Sequence, residues 1–193
     1  MHLFYTPRSH FSRKVRLLLG GLGKEVELVD AGNVAESNPT LFGANPLMKV
    51  PTLVDGERAI FDSDHIAQYI VRTYDPKDHF RVLTTDVGEL NVRSVMNGIM
   101  ATEVELILAE RTGIDTRAHR RFDKMRESIS AGLAWLEGHV DVFPSEPTYL
   151  GFHLTAMWDH LELYQVCALN FERLGERAAE WNALPYVTAT KPT

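Results

Sequence analysis

Short apolar runs and helical spacings alternate along the first part of the chain. His2 to Tyr5 is a short apolar run ahead of Thr6-Pro7, and Val15, Leu18, Leu19 and Leu22 then recur at helical spacing until Gly23. This predicts a strand, a loop and a helix. Glu25 to Val29 alternates in period two, a second strand, and Asp30 to Phe42 is polar with Gly and Pro, a loop with one irregular helical turn. Thr52-Leu53-Val54 and Arg58 to Phe61 flank Asp55-Gly56, the strongest hairpin signal in the chain. Ile66, Ala67, Ile70, Val71 and Tyr74 then lie on one face of a helix that ends before Pro76.

From Pro76 to about Asp86 the chain is polar and suits a linker, and no strand pattern returns after it. Leu90, Val95, Ile99, Met100, Val104, Ile107 and Leu108 fit a long helix ending near Gly113; Phe122, Met125, Ile129, Leu133 and Leu136 fit a second. A third apolar segment runs from Leu154 to Leu169, and a weaker fourth surrounds Leu174 to Trp181.

Composition narrows the function classes. Hydrophobic residues make up 45% of the 193 positions and charged residues 24%, as in ordinary folded proteins. The 20 basic and 26 acidic side chains leave a formal charge of -6, which disfavours nucleic acid as a partner. The one basic run, Arg8 to Arg16, suits a single small anion. One cysteine, Cys167, allows neither an internal disulfide nor a dithiol redox pair and fits a reducing compartment. It falls on an apolar helical stretch and reads as a small buried hydrophobe. No signal segment and no membrane-length apolar run is visible, so a cytoplasmic protein without membrane partners is expected. The eight histidines show no metal-ligand spacing; His153 and His160 are seven apart without an accompanying cysteine, and no metal is expected.

Ser9-His10-Phe11-Ser12-Arg13-Lys14, Asn45 to Pro51 and Phe61-Asp62-Ser63, taken with this element order, resemble the cytosolic glutathione transferases, nearest the bacterial serine-type branch beside the theta, zeta and nu groups. The similarity covers the whole chain, including the ending Pro185 to Pro192. It implies a thioredoxin-like α/β domain over residues 1–76 (βαβαββα, with a mixed four-stranded sheet), a linker over 77–86 and an all-α domain over 87–193. It also implies glutathione as co-substrate, a homodimer, and a role in detoxification of small hydrophobic electrophiles.

Residue by residue, the resemblance implies that Val50-Pro51 is the family's valine and cis-proline, with the Val50 main chain pairing to the cysteinyl part of glutathione. An ordinary trans proline at a strand start is the alternative. Ser63 would hold the γ-glutamyl carboxylate at a helix N-terminus, with Asp62 facing the ammonium group, although both are also good helix caps. Lys49 would lie near the glycine carboxylate. Ser9 stands where serine-type members hold the thiol-activating hydroxyl; a plain helix cap is the other reading, and His10 and Ser12 are alternatives for the sulfur contact. Tyr5 and Phe11 are candidate pocket residues, and Arg93, Met96, Asn97 and Met100 are candidates on the long helix, where methionine suits either an adaptable pocket or a core. The capping box that usually opens the third apolar helix is absent or shifted near His153-Leu154-Thr155-Ala156. A non-catalytic carrier or interaction module is the alternative function, and isomerisation, dehalogenation or peroxide reduction could use the same activated thiolate.

Overall fold

A computed structural model describes all 193 residues, which form two compact units: Met1–Leu83 with Asn182–Thr193, and Thr84–Trp181. The first unit holds a four-stranded sheet of β1 (His2–Tyr5), β2 (Glu27–Asp30), β3 (Thr52–Asp55) and β4 (Arg58–Phe61), in the order β2-β1-β3-β4. β1 runs parallel to β2 and antiparallel to β3, and β3 is antiparallel to β4. The sheet is therefore mixed, as expected. Helices α1 (His10–Gly21) and α2 (Ser63–Tyr74) pack on it, with Leu3, Leu53, Val15, Leu18, Ile66 and Ile70 fully buried.

Local chemistry sets the ends of these elements. α1 stops in a Schellman motif: Lys24 N–H donates to Leu19 C=O at 2.9 Å and Gly23 N–H to Gly20 C=O at 3.1 Å, with Gly23 at φ 60°. The β3–β4 hairpin is closed by the pair Asp55 and Arg58, which puts Gly56-Glu57, one residue later than Asp55-Gly56, at its centre. Gly56 has φ 59°, the requirement of a two-residue loop with glycine first. The hydroxyls of Tyr74 and Tyr69 both donate to Asp55 Oδ2, at 2.7 and 2.8 Å, fastening α2 to the hairpin. These bonds hold the Asp55 carboxyl below its usual range and push the Tyr74 hydroxyl up to about 12.

The irregular helical turn expected between β2 and β3 is the 3₁₀ turn Pro39–Phe42, which buries Phe42 and holds the place of the second helix of βαβαββα. Two sequence expectations change. The basic run does not form a patch. Arg13 and Lys14 are 1% and 0% exposed, and the Arg16 guanidinium lies 4.9 Å from the Tyr5 ring centroid. The division at residues 76 and 86 also misses the return of the chain: Asn182–Thr193 packs with the first unit. There α7 (Pro185–Thr188) brings Tyr186 so close to Gly20 that a Cβ on that glycine would lie 2.6 Å from the tyrosine Cβ.

The second unit consists of α3 (Val87–Arg111), α4 (Arg120–Gly138), α5 (Tyr149–Tyr164) and α6 (Glu172–Ala179), with a short 3₁₀ turn in each of the first two connections. No helix is long and apolar enough to cross a membrane. α3 is capped by Asp86, whose carboxylate accepts from Glu89 N–H at 2.9 Å. α5 is the central helix, buried on every side from Tyr149 to Leu161. Its start is five residues before Leu154, with Thr148 as the cap accepting from Gly151 N–H at 3.3 Å; the expected box at 153–156 lies inside the helix. A side chain on Gly151 would collide with the Trp181 ring. α5 ends at Gln165, so Cys167 is in a half-buried bend beyond it and not on an apolar helix. Burial and the nearby Glu103 carboxylate push its thiol up, away from reactivity.

Candidate active site

Strand register brings the motif residues of the first unit to one end of its sheet. Phe4 pairs with Thr52, and Thr52 with Phe61, so the last turn of β1, the entry to β3 and the exit of β4 lie side by side. The segments Thr6–Ser9, Lys49–Pro51 and Asp62–Ser63 therefore leave the sheet at the same edge. Residues 40 to 53 positions apart in sequence become neighbours through this register alone.

Ser9 caps α1. Its side-chain oxygen accepts from Ser12 N–H at 3.1 Å, and its own N–H donates to Thr6 C=O at 3.1 Å. Capping uses a lone pair and leaves the hydroxyl proton for a second partner, so the cap and a hydrogen bond donated to an external group are compatible. The first turn of α1 adds its partial positive charge there. His10 is 2% exposed, with its ring centroid 4.8 Å from that of half-buried Phe11. Ser12 is fully buried, so its hydroxyl has no direct path to a ligand. Tyr5 is half-buried and stacked under Arg16.

The Val50–Pro51 peptide bond is cis. Val50 is half-buried, and its N–H and C=O make no hydrogen bond within the chain. Asn45, 3% exposed, staples the loop before it. Its Nδ2 donates to Lys49 C=O at 3.1 Å and to Thr52 Oγ1 at 3.2 Å, while Oδ1 accepts from Leu47 N–H at 2.9 Å. In the sequence Asn45 stands only as the first residue of the Asn45 to Pro51 motif; the signal for its stapling role is an amide followed by proline in a stretch lacking regular periodicity. Asn45→Ala removes the acceptor of Leu47 N–H and one of the two donors to the Lys49 carbonyl, which keeps Thr52 Oγ1 at 3.3 Å, and is expected to cost about 2 kcal/mol of stability, read from denaturant unfolding. Lys49 itself is exposed, its side chain reaching solvent.

At the exit of β4, Asp62 is the N-cap of α2, and its Oδ1 accepts from Asp64 N–H at 2.9 Å and His65 N–H at 3.1 Å. The capping alternative thus describes one oxygen of this carboxylate; Oδ2 makes no hydrogen bond within the chain. Asp62 stands at φ 70° and ψ 132°, a region that costs a non-glycine residue on the order of 1–3 kcal/mol. Ser63, 2% exposed, is the first residue of α2, at the end where helix N–H groups face outward. The other candidates belong to the second unit. Met96 and Met100 are fully buried on α3, with His153 Nε2 3.1 Å from Met100 Sδ, and Arg93 stacks 5.2 Å from the Tyr149 ring centroid. Those contacts fit core residues.

The chain is similar to known proteins in sequence and in fold. Residues 3–78 match the family model of the glutathione S-transferase N-terminal domain. A glutathione S-transferase from Methylobacillus flagellatus KT, solved with glutathione bound, superposes with a TM-score of 0.84 at 19% identity, over 100% of this chain and 99% of its own. A glutathione transferase family member from Pseudomonas fluorescens Pf-5, also with bound glutathione, gives 0.81 at 22% identity over 100% and 98%. A bacterial zeta-class maleyl pyruvate isomerase gives 0.76 at 20% identity over 100% and 97%. The fold is that of the glutathione transferases along the whole chain. The family-model match is confined to residues 3–78, the part of the chain that carries the sheet.

Proposed function

We propose that the chain is a glutathione transferase that grips glutathione at the edge formed by Ser9, Val50-Pro51 and Asp62-Ser63. There it activates the thiol for attack on a small hydrophobic electrophile. The carrying observation is the register Phe4–Thr52–Phe61, which sets a hydroxyl, an unpaired strand edge and a helix N-terminus beside one another. Val50 N–H and C=O pair with the cysteinyl main chain as a neighbouring strand would. Ser63 and the first turn of α2 take the γ-glutamyl carboxylate, Asp62 Oδ2 faces its ammonium group, and Lys49 lies toward the glycine carboxylate.

Mechanistically, Ser9 lowers the barrier by favouring thiolate over thiol. A free thiol of this kind has a pKa around 8.5, so about one molecule in thirty is ionised at pH 7. A hydroxyl donating to sulfur at the positive end of α1 stabilises the anion without moving a proton itself. The thiol proton leaves to solvent, and the sulfur lone pair then forms the bond to the electrophilic carbon while the carbon's leaving group, a halide for an aryl halide, departs with its bonding pair. Phe11 and Tyr5 are apolar walls near the sulfur. The protein acts as a homodimer in a reducing, cytoplasmic setting, with the 69%-exposed Leu47 side chain suited to burial against a second copy.

Calorimetric titration tests the reading. Glutathione is expected to bind the wild type, and Ser63→Ala to weaken binding about tenfold through loss of a charge-assisted hydrogen bond. Conjugation of a generic aryl halide should accompany binding; binding without turnover would leave a ligand carrier instead.

A further inference from the structure

Two carboxylates flank the serine proposed to receive an acidic group. Asp62 precedes Ser63 and Asp64 follows it, so the N-terminal turn of α2 would present two negative charges to an arriving carboxylate. Asp62 is exposed and spends one oxygen on the cap. Asp64, 25% exposed, is met by a cation from another helix: Lys14 Nζ lies 2.8 Å from its Oδ1. The Lys14 side chain is fully buried, and its ammonium also sits 5.7 Å from the Phe11 ring centroid. His65, the remaining titratable group on this turn, points Nδ1 back to Phe61 C=O at 3.2 Å.

Helix stability gives no reason for this pair. An aspartate in the first turn of a helix is already favoured by the dipole without a partner, whereas burying a lysine charge is costly and only pairing and hydrogen bonding offset it. The charge has an evident use at this place. With Asp64 neutralised, the helix end keeps its attraction for an anion, and Asp62 alone remains to face a cation. That pattern of one anion receptor beside one free carboxylate matches an amino acid's own carboxylate and ammonium.

We propose that Lys14 is a positioning residue for glutathione: through Asp64 it keeps the N-terminus of α2 receptive to the γ-glutamyl carboxylate. The inference rests on the glutathione assignment above. It makes the two halves of one ion pair act in opposite senses on binding, which a purely structural strut between α1 and α2 does not. Lys14→Met leaves an uncompensated carboxylate one residue from Ser63 and is expected to weaken glutathione binding about tenfold at low salt, less at high salt. Asp64→Asn leaves a buried cation behind the same turn, so affinity holds or rises. The double variant Lys14→Met/Asp64→Asn removes both charges and returns affinity to within about threefold of the wild type, since a neutral pair can replace a buried ionic one.

Calorimetric titration of glutathione into the four proteins, with thermal unfolding of each, decides the matter. Equal weakening by both single variants, tracking their loss of stability, overturns the proposal and leaves the pair a strut. If Lys14→Met fails to fold, Asp64→Asn still decides, because a tenfold loss of affinity there contradicts the proposed role. A wild type that binds no glutathione removes the underlying assignment, a result distinct from a wild type that binds while both single variants fall together.

Discussion

Ser9→Ala is expected to lower conjugation at pH 7 by about a hundredfold, the usual scale for losing one donor to a developing anion. The loss should shrink as pH rises. With the donor gone the bound thiol titrates near its free value of about 8.5, so the variant's kcat/KM for the electrophile, at saturating glutathione, climbs through that pH while the wild type has already levelled off. The same substitution removes the cap hydrogen bond to Ser12 N–H and costs about 1 kcal/mol of stability. Ser9→Asp separates the two effects, because aspartate caps a helix well yet places a negative charge beside the sulfur. It should keep the stability and lose the activity. A pH-rate profile in Ser9→Ala that matches the wild type would remove Ser9 from catalysis.

What the sequence shows of this site is the local part. A hydroxyl, a Val-Pro pair and an Asp-Ser pair are visible as residues, and the hairpin around Asp55-Gly56 is legible because a two-residue turn needs glycine at a positive φ. Their adjacency is not legible, since it depends on β1 pairing with β3, about fifty residues away in the chain. Periodicity reports which face of an element is buried and says nothing of which element covers it. The same limit explains the misplaced start of α5. A helix buried on all sides has no polar stripe to mark its phase, so only the Thr148 cap signals where it begins.

Charged residues gave the least direct information. Arg8 to Arg16 looks in sequence like a solvent-facing basic run, because lysine and arginine are rarely buried. In the fold, Arg13 and Lys14 are interior, each with an oxygen partner that the sequence places far away: Val187 C=O for Arg13 and Asp64 for Lys14. The positive φ of Asp62 was equally hidden, as aspartate tolerates but does not advertise that conformation.

Arg13→Ala should be strongly destabilising, by about 3 kcal/mol, because it removes a large buried side chain together with its hydrogen bonds to α7 and the residues after it. The Arg13 guanidinium, 1% exposed, donates to Val187 C=O and to Thr190 Oγ1, both at 3.4 Å. Residues 182–193 also hold to the unit through Tyr186 against Gly20 and through Arg8 Nε donating to Thr193 C=O at 2.8 Å. The segment lies at the end of the chain, so loss of the Arg13 contacts should free it before the sheet unfolds. Limited proteolysis is expected to cut Arg13→Ala between residues 182 and 193 under conditions where the wild type is intact, alongside a lowered unfolding midpoint. Arg13→Lys supplies a charge without the planar fork and should recover only part of the loss. Arg13 shares the first turn of α1 with Ser9, whose C=O accepts from Arg13 N–H at 2.8 Å, so a shift of the Arg13 position is felt at the hydroxyl proposed to activate the thiol. Activity should therefore fall in step with protection of residues 182–193, and a variant that kept full protection while losing stability would show that Arg13 serves the core alone.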